Sequence, residues 1–319
     1  MIFRMPKYGI DTRDISVVVQ GAVEARLTKK CLKSIRHSLP EAEIILSTWK
    51  GSDIQQLDYD TLILNDDPGS LGWHYYYGER IVPVNFNRQL VSTKAGIQKA
   101  TRKYVLKIRN DFYLKNNSFL SLYNTLNNKE LPFQYFKNRV LIPSVYTRIF
   151  FPESAFPCPF CYSDFFFFGL REDVEDYFNM EPISQEEACN WHFKFPDRKP
   201  DRLETGRYMP EQFLGYAWVK RHGLECDFED CSDWSLDKLE LSNKILFNNF
   251  ICFDAGKHCL ATRKHNLKSI ENSFGLANEK LFNSELQNDF KIEHYLRFWK
   301  PKGKYKIKKI IKSIARSFL

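Results

Sequence analysis

Apolar residues along the chain fall into short blocks, each closed by a polar or turn-forming cluster. Asp14-Ile-Ser-Val-Val-Val-Gln20 is nearly continuous and ends in Gln20-Gly21, the profile of a first strand buried on both faces. Leu32, Ile35 and Leu39 then form a one-sided stripe that predicts a helix, with Thr28 as its cap and Pro40 as its stop. Glu43–Trp49 and Thr61–Leu64 read as further strands, ending in Ser47-Thr48 and in Asn65-Asp66-Asp67-Pro68-Gly69. Gly69 to Gly78 reads as a flexible aromatic loop. The spacing predicts a helix over Asn85–Ala100, a strand over Tyr104–Ile108, a helix over Leu114–Leu126 and strands within Phe133–Val145. Phe165–Leu170 reads as a wholly apolar strand leading into a helix from Arg171, and Tyr208–Gly223 as a helix with Pro210 at its first position. Strand–helix–strand alternation of this kind argues for an α/β fold with a mostly parallel central sheet and flanking helices. Its polar strand ends would then line one rim.

A length of 319 residues suits one large domain or a domain with an elaboration, and 43% hydrophobic content with 27 Phe is that of a globular chain. The charge changes the picture. Lys300 to Leu319 holds eight Lys or Arg and no acid, and the other 39 basic residues equal the 39 acidic ones. The body is formally neutral, so no nucleic-acid partner is expected. In the tail, Ile307, Ile310, Ile311, Ile314 and Phe318 recur at helical spacing among lysines. That pattern predicts a basic amphipathic helix on an anionic membrane, with a docking helix or a disordered basic tail as the alternatives. Met1 to Pro6 is followed by charged residues, so no secretory signal is expected. The eight Cys then read as reduced, mostly buried thiols, Cys158-Pro-Phe-Cys161 included.

Candidate chemistry gathers at the polar ends of the predicted strands. Arg109-Asn110-Asp111 puts a cation and a carboxylate where a strand ends, either to hold a metal and a diphosphate or as a surface pair. Gln20, Gly21, Thr48 and Asp66 end the neighbouring strands, and turn chemistry competes as the reading of Asp66. Asn87, Arg88, Thr93 and Lys94 cluster near the start of a helix, where an anion could bind or solvent could lie. Asp164 sits at the mouth of the Phe-rich strand, as a base with a raised pKa or as an acceptor of backbone hydrogen bonds. Glu211, in a helical first turn, is either a dipole partner or a base.

As a set, Val17-Val-Val-Gln-Gly21, Glu43–Trp49, Asp66-Asp-Pro-Gly69, Asn87–Gly96, Val105–Asp111, Ser163–Leu170 and Tyr208-Met-Pro-Glu-Gln-Phe213 resemble the WavE lipopolysaccharide synthesis family. The resemblance covers roughly residues 14–260. It implies a GT-A-like nucleotide-diphospho-sugar transferase fold, with Arg109-Asn-Asp111 standing where that fold carries its Asp-x-Asp metal motif. Arg109 replaces the first acid, so Asp111 alone carries over as a ligand for Mg2+ or Mn2+, and a metal-free site using Arg109 stays open. Glu211 would be the base ahead of Asp164, and His258 is a candidate late metal ligand. The implied layout is a 1–290 transferase domain, with a donor-binding half over 14–130 and an acceptor-side half over 131–290, and a membrane-association segment over 291–319. The implied function is transfer of a sugar from a nucleotide-diphospho-sugar donor to a lipid-linked lipopolysaccharide or capsule acceptor in the bacterial cell envelope. The place would be the cytoplasmic face of the inner membrane. The alternatives are a non-catalytic nucleotide-sugar or glycan-binding module of the same fold, or a membrane-attached assembly factor.

Overall fold

The computed structural model describes residues 9–76, 79–125, 133–151, 156–188, 207–231 and 233–285. The first half lays down β1 (Ile15–Gln20), α1 (Ala25–Ser38), β2 (Glu43–Trp49), β3 (Thr61–Asn65), a ribbon of β4 (Trp73–Tyr76) and β5 (Glu79–Pro83), α2 (Phe86–Lys99) and β6 (Tyr104–Arg109). Every residue of β1 is buried, as an unbroken apolar run requires when both faces of a sheet are covered. The chain continues through β7 (Phe112–Leu114), α3 (Phe119–Thr125), β8 (Val140–Pro143), β9 (Arg148–Phe150), β10 (Pro157–Cys161), β11 (Phe166–Leu170), α4 (Arg171–Phe178) and α5 (Gln185–Ala188). It closes with α6 (Pro210–Arg221), α7 (Leu236–Asn249), β12 (Phe250–Phe253), α8 (Ala255–His258), β13 (Leu260–Thr262), α9 (Leu267–Glu271) and α10 (Glu279–Glu285).

One seven-stranded sheet runs β12-β8-β11-β6-β1-β2-β3. All its pairings are parallel except those of β11, which runs against both β6 and β8. The mostly parallel central sheet with flanking helices expected from the sequence is what the chain forms. Reversal of β11 has a direct consequence. Its N-terminal end lies on the same rim as the C-terminal ends of β1, β2 and β6, so residues preceding β11 join that rim. The abundance of Phe is accounted for in the core: Phe119, Phe166, Phe168, Tyr104 and Tyr123 meet one another at centroid distances of 5.0–6.0 Å, mostly edge to face. Such pairs add about 0.5–1.5 kcal/mol each beyond their buried area.

Four expectations are corrected. Thr28 does not cap the first helix: α1 starts at Ala25 with Glu24 at its cap position, and Thr28 lies in its first turn. The aromatic run expected as a loop over 69–78 contains strand β4, which pairs antiparallel with β5. Leu114 does not open a helix; it ends β7, which pairs with β13 in the register Leu114↔Leu260, and α3 begins only at Phe119. A partner some 150 residues away overrides the local helical spacing there. Of the region Phe133–Val145, only Val140–Pro143 is strand. Cys158 and Cys161 are buried free thiols on β10, as anticipated. The expected tail helix over 291–319 lies outside the described residues. Among the described residues, no helix is long and apolar enough to cross a membrane.

Candidate active site

The rim cluster begins where β6 ends. Asn110 donates its backbone N–H to the Gln20 carbonyl at 3.1 Å and its side-chain amide to Ala22, which turns the chain sharply. Gly21 makes room for this turn: its φ is +120°, and a Cβ there would lie 3.2 Å from the Asn110 side-chain oxygen. The turn delivers Asp111 into the interior, with its side chain 5% exposed. Arg109 clamps that carboxylate in bidentate fashion, Nε at 3.1 Å and Nη2 at 2.7 Å. Lys264 reaches the same carboxylate at 3.2 Å. The β7–β13 ribbon brings it there, locked by a hydrogen bond from the Thr262 hydroxyl to the Asp111 carbonyl at 2.9 Å. Burial alone would raise the Asp111 pKa; Arg109 and Lys264 outweigh it and hold the carboxyl below its ordinary value.

Asp164 arrives from the other side, just before β11. The rings of Phe112 and Phe165, each the residue after a carboxylate, stack at 4.5 Å and tie the two approaches together. The Gln89 amide of α2 donates to the Asp164 carboxylate, and the Lys107 ammonium donates to its main-chain carbonyl. Lys107 is fully buried in β6, and burial depresses its pKa to about 8, with Asp164 pulling the other way.

Glu211 lies in the first turn of α6, which Pro210 starts. Its side chain is 12% exposed and 3.9 Å from Arg148, itself 14% exposed. Burial, helped by the charge of Asp164, pushes the Glu211 carboxyl up to about 7 against the pull of Arg148 and Arg109. Between these groups stands Tyr146, held at φ +65°, an unfavourable backbone state for a bulky residue that recurs at functional sites. The Arg148 guanidinium lies over its ring at 4.8 Å. Burial raises the pKa of its phenol, and Arg148, Glu211, Arg109 and Asp164 are all close enough to act on it.

The structure therefore brings together Arg109, Asp111, Asp164 and Glu211, with Gln20 and Gly21 beneath them. Gln20 faces Arg109 across the β1–β6 pairing and accepts from Ser92 at 2.9 Å. The remaining candidates lie apart from this cluster, and all but Thr93 are engaged with other groups. Asn87 gives both ends of its amide to the backbone of Ile183, at 2.8 and 3.0 Å. Arg88 forks onto Asp67 at 2.7 Å, Lys94 contacts the Met180 carbonyl and Glu181, and Asp66 pairs with Lys50 at the surface. Thr48 is buried against Ser52 at 3.1 Å, and the buried Thr93 hydroxyl has no partner among the described residues. Sequence reasoning missed Lys107, Tyr146, Arg148 and Lys264. Only Lys107 had left a local sign, a lysine inside an apolar strand.

The expected Mg2+ or Mn2+ ligands do not form one donor set. His258 faces Glu279 at 2.7 Å, and among the described residues no three His, Cys, Asp or Glu side chains group to hold a metal. Asp111 already carries two cations. Both of its oxygens already accept from Arg109 and Lys264, so a divalent ion would have to displace these cations to reach them. The residues present do not fit a divalent cation bound through Asp111.

A family model described as WavE lipopolysaccharide synthesis matches residues 15–312. No curated protein matches the chain in sequence. Solved structures similar to it include 4-diphosphocytidyl-2C-methyl-D-erythritol synthase from Anaerococcus prevotii, at 14% identity and TM-score 0.33, covering 66% of this chain and 100% of that one. Residues 1–349 of S. aureus TarS align at 11% identity and TM-score 0.36, over 93% of this chain and 70% of that one. The glycosyltransferase GlyE of Streptococcus pneumoniae aligns at 11% identity and TM-score 0.27, over 62% and 41%. With every one of these scores below 0.5, the architecture stands on the chain's own strand order.

Proposed function

Because the chain belongs to the WavE lipopolysaccharide synthesis family, we propose that it is a GT-A-like glycosyltransferase. In this reading it moves a sugar from a nucleotide-diphospho-sugar donor onto a growing lipopolysaccharide or capsule glycan. The observation that carries the reading is Glu211, a nearly buried carboxylate with a pKa of about 7 on the same rim as the cationic pair Arg109 and Lys264. Sugar transfer needs these two things side by side: a base that takes the acceptor hydroxyl proton, and positive charge where the leaving diphosphate develops its own negative charge. Glu211 takes the proton, and at neutral pH it is poised between its two forms. Burial keeps the Glu211 pKa high and the charge of Asp164 adds to it, while Lys107 and Gln89 hold Asp164 in place.

The lipid-linked acceptor and a position on the cytoplasmic face of the inner membrane belong to the same proposal. The basic, Ile-rich segment over 291–319 supplies the attachment. Co-sedimentation with anionic vesicles at low and high salt tests this part. A chain ending at Trp299 should stay in the supernatant, and equal binding by both chains removes the tail as the anchor. The enzymatic reading is tested by titrating a panel of nucleotide sugars and following release of the nucleoside diphosphate in the presence of a cell-envelope oligosaccharide. If no member of the panel is bound or consumed, the protein is not a nucleotide-sugar transferase.

A further inference from the structure

We infer that this protein holds its donor's diphosphate without a divalent cation. Arg109 and Lys264 take the diphosphate directly, and Asp111 is the positioning residue that fixes both. The inference rests on the glycosyltransferase reading and names how that site meets its substrate.

The geometry separates the roles of the three side chains. Asp111 is buried, while Arg109 and Lys264 are 39% and 43% exposed, so the carboxylate faces the protein and the cations face solvent. Three donors reach its two oxygens, two from Arg109 and one from Lys264. A carboxylate used this way sets the direction of its cations; it is not left open as a metal ligand. The guanidinium is held from a second side by the Phe112 ring, 5.5 Å from its centre. Arg109 thus presents a planar fork suited to two phosphate oxygens, and Lys264 a point charge beside it.

Lys264 has a further partner among the described residues. Its ammonium lies 2.8 Å from Glu24, whose side chain is 53% exposed. Glu24 follows the Gly21 turn and precedes α1, and its carboxylate caps nothing in that helix. An exposed pair of this kind is weak and screened. A diphosphate carries more charge than one carboxylate, so it displaces Glu24 and takes the ammonium. Glu24 is then the counter-ion that the diphosphate replaces.

The test is calorimetric titration of the full-length protein with UDP, GDP, CDP, ADP, dTDP and inorganic pyrophosphate, first in EDTA and then in Mn2+ or Mg2+. At least one nucleoside diphosphate should bind in EDTA about as tightly as with metal. Arg109→Ala and Lys264→Ala should each weaken that binding about tenfold or more, the scale of a lost charge-assisted hydrogen bond. Glu24→Gln should tighten it severalfold. Asp111→Asn should weaken it by the same factor in EDTA and in Mn2+, with Asp111→Glu recovering part of the loss at an unchanged melting temperature. Should Lys264→Ala fold poorly, Lys264→Met and the Glu24→Gln gain still decide the matter. Binding that appears only with Mn2+ or Mg2+ overturns this inference and leaves the glycosyltransferase reading standing. Absence of nucleotide binding under both conditions overturns both.

Discussion

Glu211 and Arg148 face each other at 3.9 Å, two nearly buried charges too far apart for a direct hydrogen bond. Arg148 spends a donor on the Cys161 thiol at 3.8 Å instead. Glu211 is therefore only partly compensated, which is why burial succeeds in raising it to about 7. If Glu211 is the base, turnover should climb about tenfold per pH unit in acid and level off just above pH 7. Glu211→Gln should lower turnover about 10²-fold with donor affinity nearly unchanged, as kcat and KM would show.

The same residue makes a stability prediction with the opposite sign from an ordinary ion pair. Its folded pKa exceeds its ordinary value of 4.5, so the folded state binds the proton more tightly, and stability falls as pH rises from about 4.5 through 7. Glu211→Gln is free of that loss. It should melt close to the parent at pH 5 and above it at pH 8, by up to about 3 kcal/mol. Equal melting differences at the two pH values would show that Glu211 is not perturbed.

Asp164 acts on Glu211 through space, and its own carboxylate is occupied by Gln89. Asp164→Asn should therefore cost less turnover than Glu211→Gln, and it should move the acid limb of the pH–rate profile to lower pH. A large loss with an unmoved limb would make Asp164 the base.

Glu211 and Asp111 also show how far the sequence was legible. Glu211 was visible because Pro210 announces a helix start, and Asp111 because Tyr104–Ile108 is a clear strand with a charged end. The strands β1, β2, β3 and β6 were readable for the same reason: local apolar periodicity decides them. Lys264 and Arg148 were not readable. Lys264 meets Asp111 only because Thr262 pairs with Phe112, and no short-range pattern encodes a pairing 150 residues apart. Tyr146 escaped because left-handed backbone at an aromatic residue is imposed by its surroundings, not by its type. Asn87 and Lys94 looked like ligand groups because polar side chains at a helix start invite that reading; their hydrogen bonds to the Met180–Ile183 segment were invisible.

Lys107 gives a test independent of activity. With its pKa depressed to about 8, the folded state sheds the proton before the unfolded chain does, so stability contributed at this residue rises with pH from about 8 to 10.5. Below pH 8 the buried ammonium costs roughly 3 kcal/mol, partly offset by its bond to the Asp164 carbonyl. The stability of Lys107→Met relative to the parent should therefore decline as pH is raised from 7 to 10. Urea titrations at several pH values measure this, and a flat difference would place Lys107 in a normal environment. Turnover should fall in the variant, since the Asp164 carbonyl loses its anchor.

Gly215 lies on the buried side of the helix that carries Glu211. A Cβ there would come within 2.2 Å of the Phe160 carbonyl and 2.9 Å of the Tyr162 ring. Backbone on a packed strand gives way little, so Gly215→Ala should cost about 1–3 kcal/mol or more by overpacking. Displacement of α6 should also loosen Glu211 and shift its pH limb. A variant with the parent's melting point would mean that α6 can slide on β10 without cost.

The late pairing of β13 with β7 has a meaning for synthesis as well as for structure. Strands β1, β2, β3 and β6 are complete by residue 109 and can assemble while the rest of the chain is still being made. Asp164, Glu211 and Lys264 follow in that order, so the cationic pair on Asp111 closes last. A nascent or prematurely released chain ending just before Lys264 carries every strand of the sheet but lacks the second cation on Asp111. On the proposed reading, the donor site is completed only after the architecture that carries it.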